Sequence, residues 1–335
     1  RLLLFWAVGS GLGARELVIR NIERARNFTR SSCQQPLAVD VYLAHYDKSR
    51  AMWKKELGQW YTENVQYSAE LSGIKFWLAK DLLLFRHAQQ EQQQQQQQQS
   101  MGGLQNLTQS ELRRLPEVNV SAYEYLWILD EDADFQDLNL RELVDMARSS
   151  QANIMTPSFK TLGSHHDQAA SHLAMAGMAE DRMEDELGEG CEYNSPRCNL
   201  QAPHPECTFR YTNYVEVSFP LLKPAAFIKV VGNCTNCLPS RQSIWGLDQV
   251  WCAMAARTAG QEQSSCAVLD TVSMVHKNFR TLPKWSTNGI GQKHPWDTKS
   301  LDRVRELEKP YYNERPQVHR CVVAPPRSPP APCGP

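Results

Sequence analysis

Apolar runs and amphipathic stretches alternate along the first half of this chain. Leu2 to Val8 is continuously apolar, the pattern of a strand buried on both faces. Gly9 to Ala14 turns into Arg15 to Arg26, where Leu17, Val18, Ile22 and Ala25 share one helical face. Leu37 to His45 predicts a second strand closing on Tyr46-Asp47. A helix over Ala51 to Tyr61 and a short strand near Val65 to Tyr67 follow. Ser72 is placed to cap a helix running from Gly73 to Leu84. Tyr123 to Leu129 predicts another buried strand, Leu140 to Arg148 a helix and Ala152 to Thr156 a further strand.

In the second half Tyr214 to Phe219 alternates as a half-buried strand would, and Pro224 to Val231 reads as helical. Trp245-Gly-Leu-Asp248 leads into a helix ending near Ala255, and Cys266 to His276 forms a late strand with its extension. Strands alternating with helices imply an α/β fold, a mostly parallel Rossmann-type sheet flanked by helices. Two long inserted loops interrupt it. One spans 87–117 and contains the glutamine run Gln92 to Gln99; the other is a cysteine-bearing excursion over 162–210. One domain is therefore expected over 1–285, with a C-terminal extension at 286–335 that becomes a proline-rich tail from about Pro316.

The 335 residues, 41% hydrophobic, suffice for a large core. A formal charge of −1 and the lack of a basic stripe argue against a nucleic-acid partner. Leu2 to Val8 is too short to span a bilayer and reads better as a core strand than as the end of a signal peptide. Cys191, Cys198, Cys207, Cys234 and Cys237 cluster, and sequons stand at Asn27, Asn106, Asn119 and Asn233. Together they favour an oxidising secretory lumen and at least one disulfide within the cluster, fastening the excursion near Tyr211. Half a zinc site at Cys234-x-x-Cys237 is the rival reading.

The chemistry concentrates where the Tyr123 strand ends. Asp130-Glu-Asp-Ala-Asp134 sets four carboxylates in five residues, and a cation relieves their repulsion. Asp130 and Asp132 share one side of an extended chain. Such hard oxygen ligands suit Mn²⁺ or Mg²⁺ with open positions for phosphates. A solvated acidic turn is the bland alternative. Gly9-x-Gly11-x-x-Ala14 fits a loose dinucleotide fingerprint that lacks its usual acidic partner, so a nucleotide-facing loop and a plain turn both stand. Asp47 is placed to bind a ribose or base edge, or to form a turn. Lys75 and Lys80 would neutralise a diphosphate, or be solvated helix lysines. In Trp245-Gly246-Leu247-Asp248 the indole suits an acceptor sugar, the glycine permits close approach and the carboxylate can take a proton, unless Asp248 is a helix-terminal charge. His276 ends the last strand as a metal ligand or a structural histidine.

Leu3 to Gly9, His45-Tyr-Asp47, Lys75 to Lys80, Tyr125 to Asp132, Trp245 to Asp248 and Val268 to His276 occur in an order that resembles the domain of unknown function 707 family. It is a largely plant and algal family regarded as glycosyltransferase-like. The resemblance implies a GT-A-like fold and a metal-dependent transfer of sugar from a nucleoside diphosphate sugar to a glycan or other hydroxyl acceptor. It implies Asp130, Asp132 and His276 at the metal and Asp248 as the base of an inverting reaction. The Golgi or another secretory lumen is the compartment expected from the cysteines and sequons, and a start at Arg1 leaves room for an anchor upstream. A non-catalytic sugar- or partner-binding protein on the same fold, or a metal-dependent phosphoesterase or nucleotidyltransferase, are the alternatives.

Overall fold

Strand β1 (Leu2–Val8) holds the centre of the first half because both of its faces are apolar. Leu2, Leu4, Trp6 and Val8 enter one core, and Leu3, Phe5 and Ala7 enter the other. Helix α1 (Leu12–Arg30) buries Val18, Ile22 and Ala25 in the first core, and Leu17 on the same face is buried too, as its period predicts. Strands β2 (Val39–His45) and β4 (Tyr125–Leu129) pair parallel to β1 on either side, and β3 (Tyr67–Glu70) pairs parallel to β2. Helices α2 (Arg50–Asn64) and α3 (Lys75–Leu83) make the crossovers. The C-terminal ends of β1, β2 and β4 therefore open on one edge, where ligands of α/β sheets bind.

The computed structural model describes residues 1–30, 37–84, 115–161, 200–239, 243–256, 262–277, 295–313 and 315–323. The glutamine run and most of the excursion, with Cys191 and Cys198, lie outside the described residues.

After β4 come β5 (Ala133–Asp134), α4 (Leu140–Ser150) and β6 (Ile154–Thr161). Asn139 caps α4 by accepting from the amides of Arg141 and Glu142. Strands β7 (Phe209–Thr212) and β8 (Leu221–Leu222) follow, then α5 (Pro224–Phe227), which continues as a π turn through Ile228–Asn233. Helix α6 (Leu247–Ala255), β9 (Cys266–His276), α7 (Pro295–Leu307) and β10 (Val318–Val322) complete the order. The sheet runs β10-β7-β9-β6-β8-β4-β1-β2-β3, with β5 on the end of β9. Parallel pairs carry most of the ladder, and β8 joins the two halves antiparallel to both β4 and β6. The architecture is the expected α/β class.

Three local expectations fail. Tyr214 to Phe219 is a turn-containing loop, because the carbonyls of Val217 and Ser218 accept from the Lys75 ammonium instead of from a strand. Ser72 does not cap α3; Ile74 occupies the N-cap and no side chain bonds there. The proline-rich tail begins later than Pro316, since Val318–Val322 pairs antiparallel with β7.

Disulfides Cys207–Cys321, Cys234–Cys237 and Cys252–Cys266 fit an oxidising compartment. The second lies inside the expected cluster. The first joins the chain before β7 to β10, beside Tyr211, and the third ties α6 to the start of β9. Among the described residues no helix is long and apolar enough to cross a membrane.

Candidate functional site

The acidic turn after β4 sends three successive carboxylates to three places. Asp130 Oδ2 accepts from Lys75 Nζ at 2.6 Å. Glu131 turns inward and accepts from the Gly9 amide at 2.8 Å and the Tyr46 hydroxyl at 2.6 Å. Asp132 Oδ2 faces His276 Nε2 at 3.1 Å. Asp134 points elsewhere, to Arg24 at 3.2 Å and Lys277 at 3.0 Å.

Lys75 is 4% exposed, and its three protons go to Asp130 Oδ2, Val217 O at 2.7 Å and Ser218 O at 2.6 Å. It clamps the acidic turn to the loop after β7. Burial raises the Asp130 carboxyl pKa; Lys75 pulls the other way and Asp132 adds to the rise.

Backbone pairing brings His276 to Asp132. Ala133 of β5 opposes His276 of β9, and the Lys277 amide donates to Asp132 O at 2.9 Å. Burial opposes protonation of His276, yet Asp132, Glu216 and Asp130 outweigh it and raise the imidazole pKa. Asp132 is 6% exposed, and its Oδ1 is buried without a hydrogen-bond partner. A buried carboxylate oxygen left unpaired is costly. A cation between Asp132 and His276 would satisfy it, and this oxygen and nitrogen donor set fits Mn²⁺ or Mg²⁺. Asp130, engaged by Lys75, stands beside that pair. Among the described residues, the trio of ligand-type atoms that gathers within 4.8 Å is Cys234, Cys237 and Glu308, where the two sulfurs are joined as a disulfide.

The other wall carries Asp248 in the first turn of α6. Its Oδ2 accepts from the Tyr214 hydroxyl at 2.7 Å, and Gln249 Nε2 approaches Oδ1 to 3.5 Å. Gly246, at φ 98°, starts the helix in a left-handed conformation, and a Cβ there would meet Val304 of α7 at 2.9 Å. Trp245 beside it is 54% exposed.

Glu216, which the strand-like pattern of Tyr214 to Phe219 concealed, is influenced by charges of both walls. Burial, together with Asp248, raises its carboxyl pKa, while His276 and Lys75 act in the opposite sense. Glu216 is thus within electrostatic reach of His276, Asp248 and Lys75. Its carboxylate accepts from the Ser218 hydroxyl at 3.1 Å. No spacing signal marked Glu216 or Tyr214, because the folding of their loop depends on Lys75, far away in sequence.

The loops after β1 and β2 form the remaining side. Ser10 N donates to Asp47 Oδ2 at 2.7 Å, and Trp53 Nε1 donates to Gly9 O at 3.0 Å. Burial would raise Asp47, but bonds from Ser49 and Ser10 overcome it and hold the carboxyl below its usual range. The Lys80 ammonium lies 5.5 Å from the centroid of the Trp77 ring. The two glycines of the loose fingerprint differ. A Cβ on Gly9 would come within 2.5 Å of Tyr46 Oη, whereas one on Gly11 meets nothing nearer than Ala14 at 3.9 Å. Gly9→Ala should therefore lower stability by about 1–3 kcal/mol through overpacking. Gly11→Ala should leave it nearly unchanged, and urea denaturation of the two variants decides this.

His45, at the end of β2, bonds Ser49 Oγ at 3.1 Å and Tyr61 Oη at 2.9 Å. Burial, helped by Arg50, lowers its pKa from 6.5 to about 3. The unfolded chain therefore binds a proton below pH 6.5 that the folded chain refuses until about pH 3, so His45 makes stability fall as pH drops through this window. Denaturation at pH 7 and pH 5 should show a smaller acid loss in His45→Asn than in the wild type.

Comparison with known proteins follows this geometry. No curated protein matches the sequence. Solved structures give distant likenesses. A mannosyltransferase from Pyrobaculum calidifontis in complex with GDP-Man and Mn²⁺ aligns at 9% identity and TM-score 0.40, over 91% of this chain and 68% of that one. S. aureus TarS 1-349 in complex with UDP-GlcNAc aligns at 8% identity and TM-score 0.39, over 92% and 74%. A family model matches residues 113–319, a span that holds the acidic turn, Tyr214, Glu216, Asp248 and His276. By that match the chain belongs to the family described as protein of unknown function (DUF707).

Proposed function

We propose that this protein transfers a sugar from a nucleoside diphosphate sugar to a hydroxyl of a glycan or similar acceptor, in a secretory lumen such as the Golgi. The observation that carries the reading is the buried, unpartnered Oδ1 of Asp132 beside His276, among acidic side chains past the C-terminal end of a parallel strand. The three disulfides support the compartment. Nucleotide-sugar ligands in the two distant structures accord with it but carry no weight at their similarity.

Asp132 and His276 would hold the cation, Mn²⁺ or Mg²⁺, with Asp130 next to them. A divalent cation held there would supply positive charge against the charge that develops on the diphosphate leaving group. Gly9, Gly11 and Asp47 border the nucleotide. Lys75 acts through Asp130 and the 217–218 carbonyls rather than on the diphosphate. Trp245 offers its exposed face to the acceptor sugar, and Gly246 lets the chain pass close to it. Asp248 takes the acceptor proton on Oδ1, while the Tyr214 hydroxyl fixes Oδ2. The acceptor oxygen bonds to the anomeric carbon as the bond to the diphosphate breaks, which inverts that centre.

A panel of nucleoside diphosphates and their sugars, scored by thermal shift with and without Mn²⁺, tests the donor site. Ligand at about 100 times its Kd stabilises by about 2.7 kcal/mol. One donor should raise the melting temperature only with metal; no shift from any of them rejects the reading.

A further inference from the structure

The middle residue of the acidic turn has a different task from its neighbours. Glu131 is 3% exposed, and its carboxylate spans the ends of two other strands. Oε2 takes the Gly9 amide after β1, and Oε1 takes the Tyr46 hydroxyl after β2. The Tyr46 ring lies so close over Gly9 that a Cβ there would come within 2.5 Å of its oxygen. Tyr46 N donates to Val8 O at 3.1 Å, and Trp53 Nε1 closes the other side of Gly9 at 3.0 Å. Ser10 and Asp47, the next residues of the two loops, bond each other at 2.7 Å.

We propose that Glu131 is a positioning residue that locks the β1 and β2 loops into one preformed nucleotide floor, and that it does not hold the metal. The inference rests on the donor-site reading for what the floor binds, but the lock itself stands on this geometry alone. The turn that follows β4 divides the labour: Asp130 goes to Lys75 and Asp132 to His276, while Glu131 turns under the two loops. An acid at that position suits the job. A carboxylate only accepts, and both of its partners here are donors. Prepaying the order of the two loops spares that cost when ligand binds.

The substitutions separate shape from charge. In Glu131→Gln the amide oxygen still accepts from Gly9 N, and its NH₂ donates to the Tyr46 oxygen, which can accept. In Glu131→Ala the buried Gly9 amide and the part-buried Tyr46 hydroxyl lose this acceptor. Tyr46→Phe keeps the ring over Gly9 and removes one bond, which supplies a milder variant if the alanine does not fold. The experiment has two arms on the full chain. Hydrogen exchange without ligand should rise in residues 8–13 and 45–50 in Glu131→Ala and, less, in Tyr46→Phe, with Glu131→Gln close to wild type. Nucleoside diphosphate affinity, titrated with Mn²⁺ well below each melting temperature, should weaken by about tenfold in Glu131→Ala, as loss of a buried acceptor implies. It should stay close to wild type in Glu131→Gln, as should the Mn²⁺ concentration needed for half-maximal binding. Unchanged exchange in both Glu131→Ala and Tyr46→Phe overturns the lock. Asp132→Asn, which removes a ligand of the proposed metal, serves as the control; a loss of Mn²⁺-dependent binding in Glu131→Gln as large as in that control makes Glu131 a metal ligand and also overturns it. Lower melting temperature with unchanged affinity reduces Glu131 to a structural residue. If the wild type binds no nucleotide, the donor-site reading falls while the exchange arm still decides the lock.

Discussion

Asp248→Asn should lose transfer by about 10²–10⁴-fold while binding donor almost as the wild type does. Asparagine keeps an oxygen for the Tyr214 hydroxyl, which lies 2.7 Å from Asp248 Oδ2, so the fold of the wall should survive. It removes the group that takes the acceptor proton. The competing role is electrostatic. Asp248 stands in the first turn of α6, where a negative charge favours the helix by about 0.3–1 kcal/mol. If that were its whole purpose, Asp248→Asn would melt slightly earlier and transfer normally. Tyr214→Phe adds a graded case, because it removes one bond that positions Asp248 without deleting the carboxylate. Its transfer should fall less than that of Asp248→Asn, with donor affinity again preserved. Transfer rate, donor titration and melting temperature on the three proteins separate a base from a cap.

The largest stability effect is expected far from the cleft, at Arg210 and Asp270. The two side chains are 3% and 0% exposed and meet in a double hydrogen bond, Nε to Oδ2 at 2.8 Å and the second nitrogen to Oδ1 at 2.9 Å. Arg210 also donates to Leu200 O at 3.0 Å and Ala202 O at 2.8 Å, and Asp270 accepts from the His204 amide at 3.0 Å. The pair thus fixes the return of the chain from the excursion onto β7 and β9. Asp270→Ala leaves a buried guanidinium without its carboxylate and should cost about 3–5 kcal/mol. Removing both charges together, as Arg210→Met with Asp270→Leu, should recover much of that loss, since an apolar pair carries no desolvation penalty. Urea denaturation of the single and double variants measures it. A loss under about 1 kcal/mol in Asp270→Ala would place the pair with ordinary surface bridges.

Some of this was legible in residues and some was not. Leu2 to Val8 announced a central strand because no polar residue interrupts it, and burial on both faces is the one place such a run fits. The acidic turn announced itself because four carboxylates so close together at a strand end repel each other. Asp248 was visible as a carboxylate one residue beyond a Gly246-Leu247 helix start. Tyr214 to Phe219 misled because alternation describes any extended segment with one side buried, whether or not a neighbour completes a ladder. Here Lys75 takes the carbonyls that a strand would have used. That bond joins residues more than a hundred positions apart, so nothing local reports it. Glu216 stayed hidden for the same reason. The pairing of Val318–Val322 with β7 was hidden by its short length and its neighbouring prolines, and the bond from Cys207 to Cys321 by the freedom of cysteine pairing. Lys75 was picked out for its charge, yet its burial and three acceptors give that charge a clamping role.

A crystal structure with Mn²⁺ and the best-binding nucleoside diphosphate, read by anomalous scattering from the metal, tests the donor site most directly. The expected result is a metal peak bonded to Asp132 Oδ1 and His276 Nε2, bridging to the diphosphate, with the nucleoside over the loops of Gly9 and Asp47. A metal peak at Glu308 and the Cys234–Cys237 pair, or a diphosphate bound away from Asp132, would contradict it.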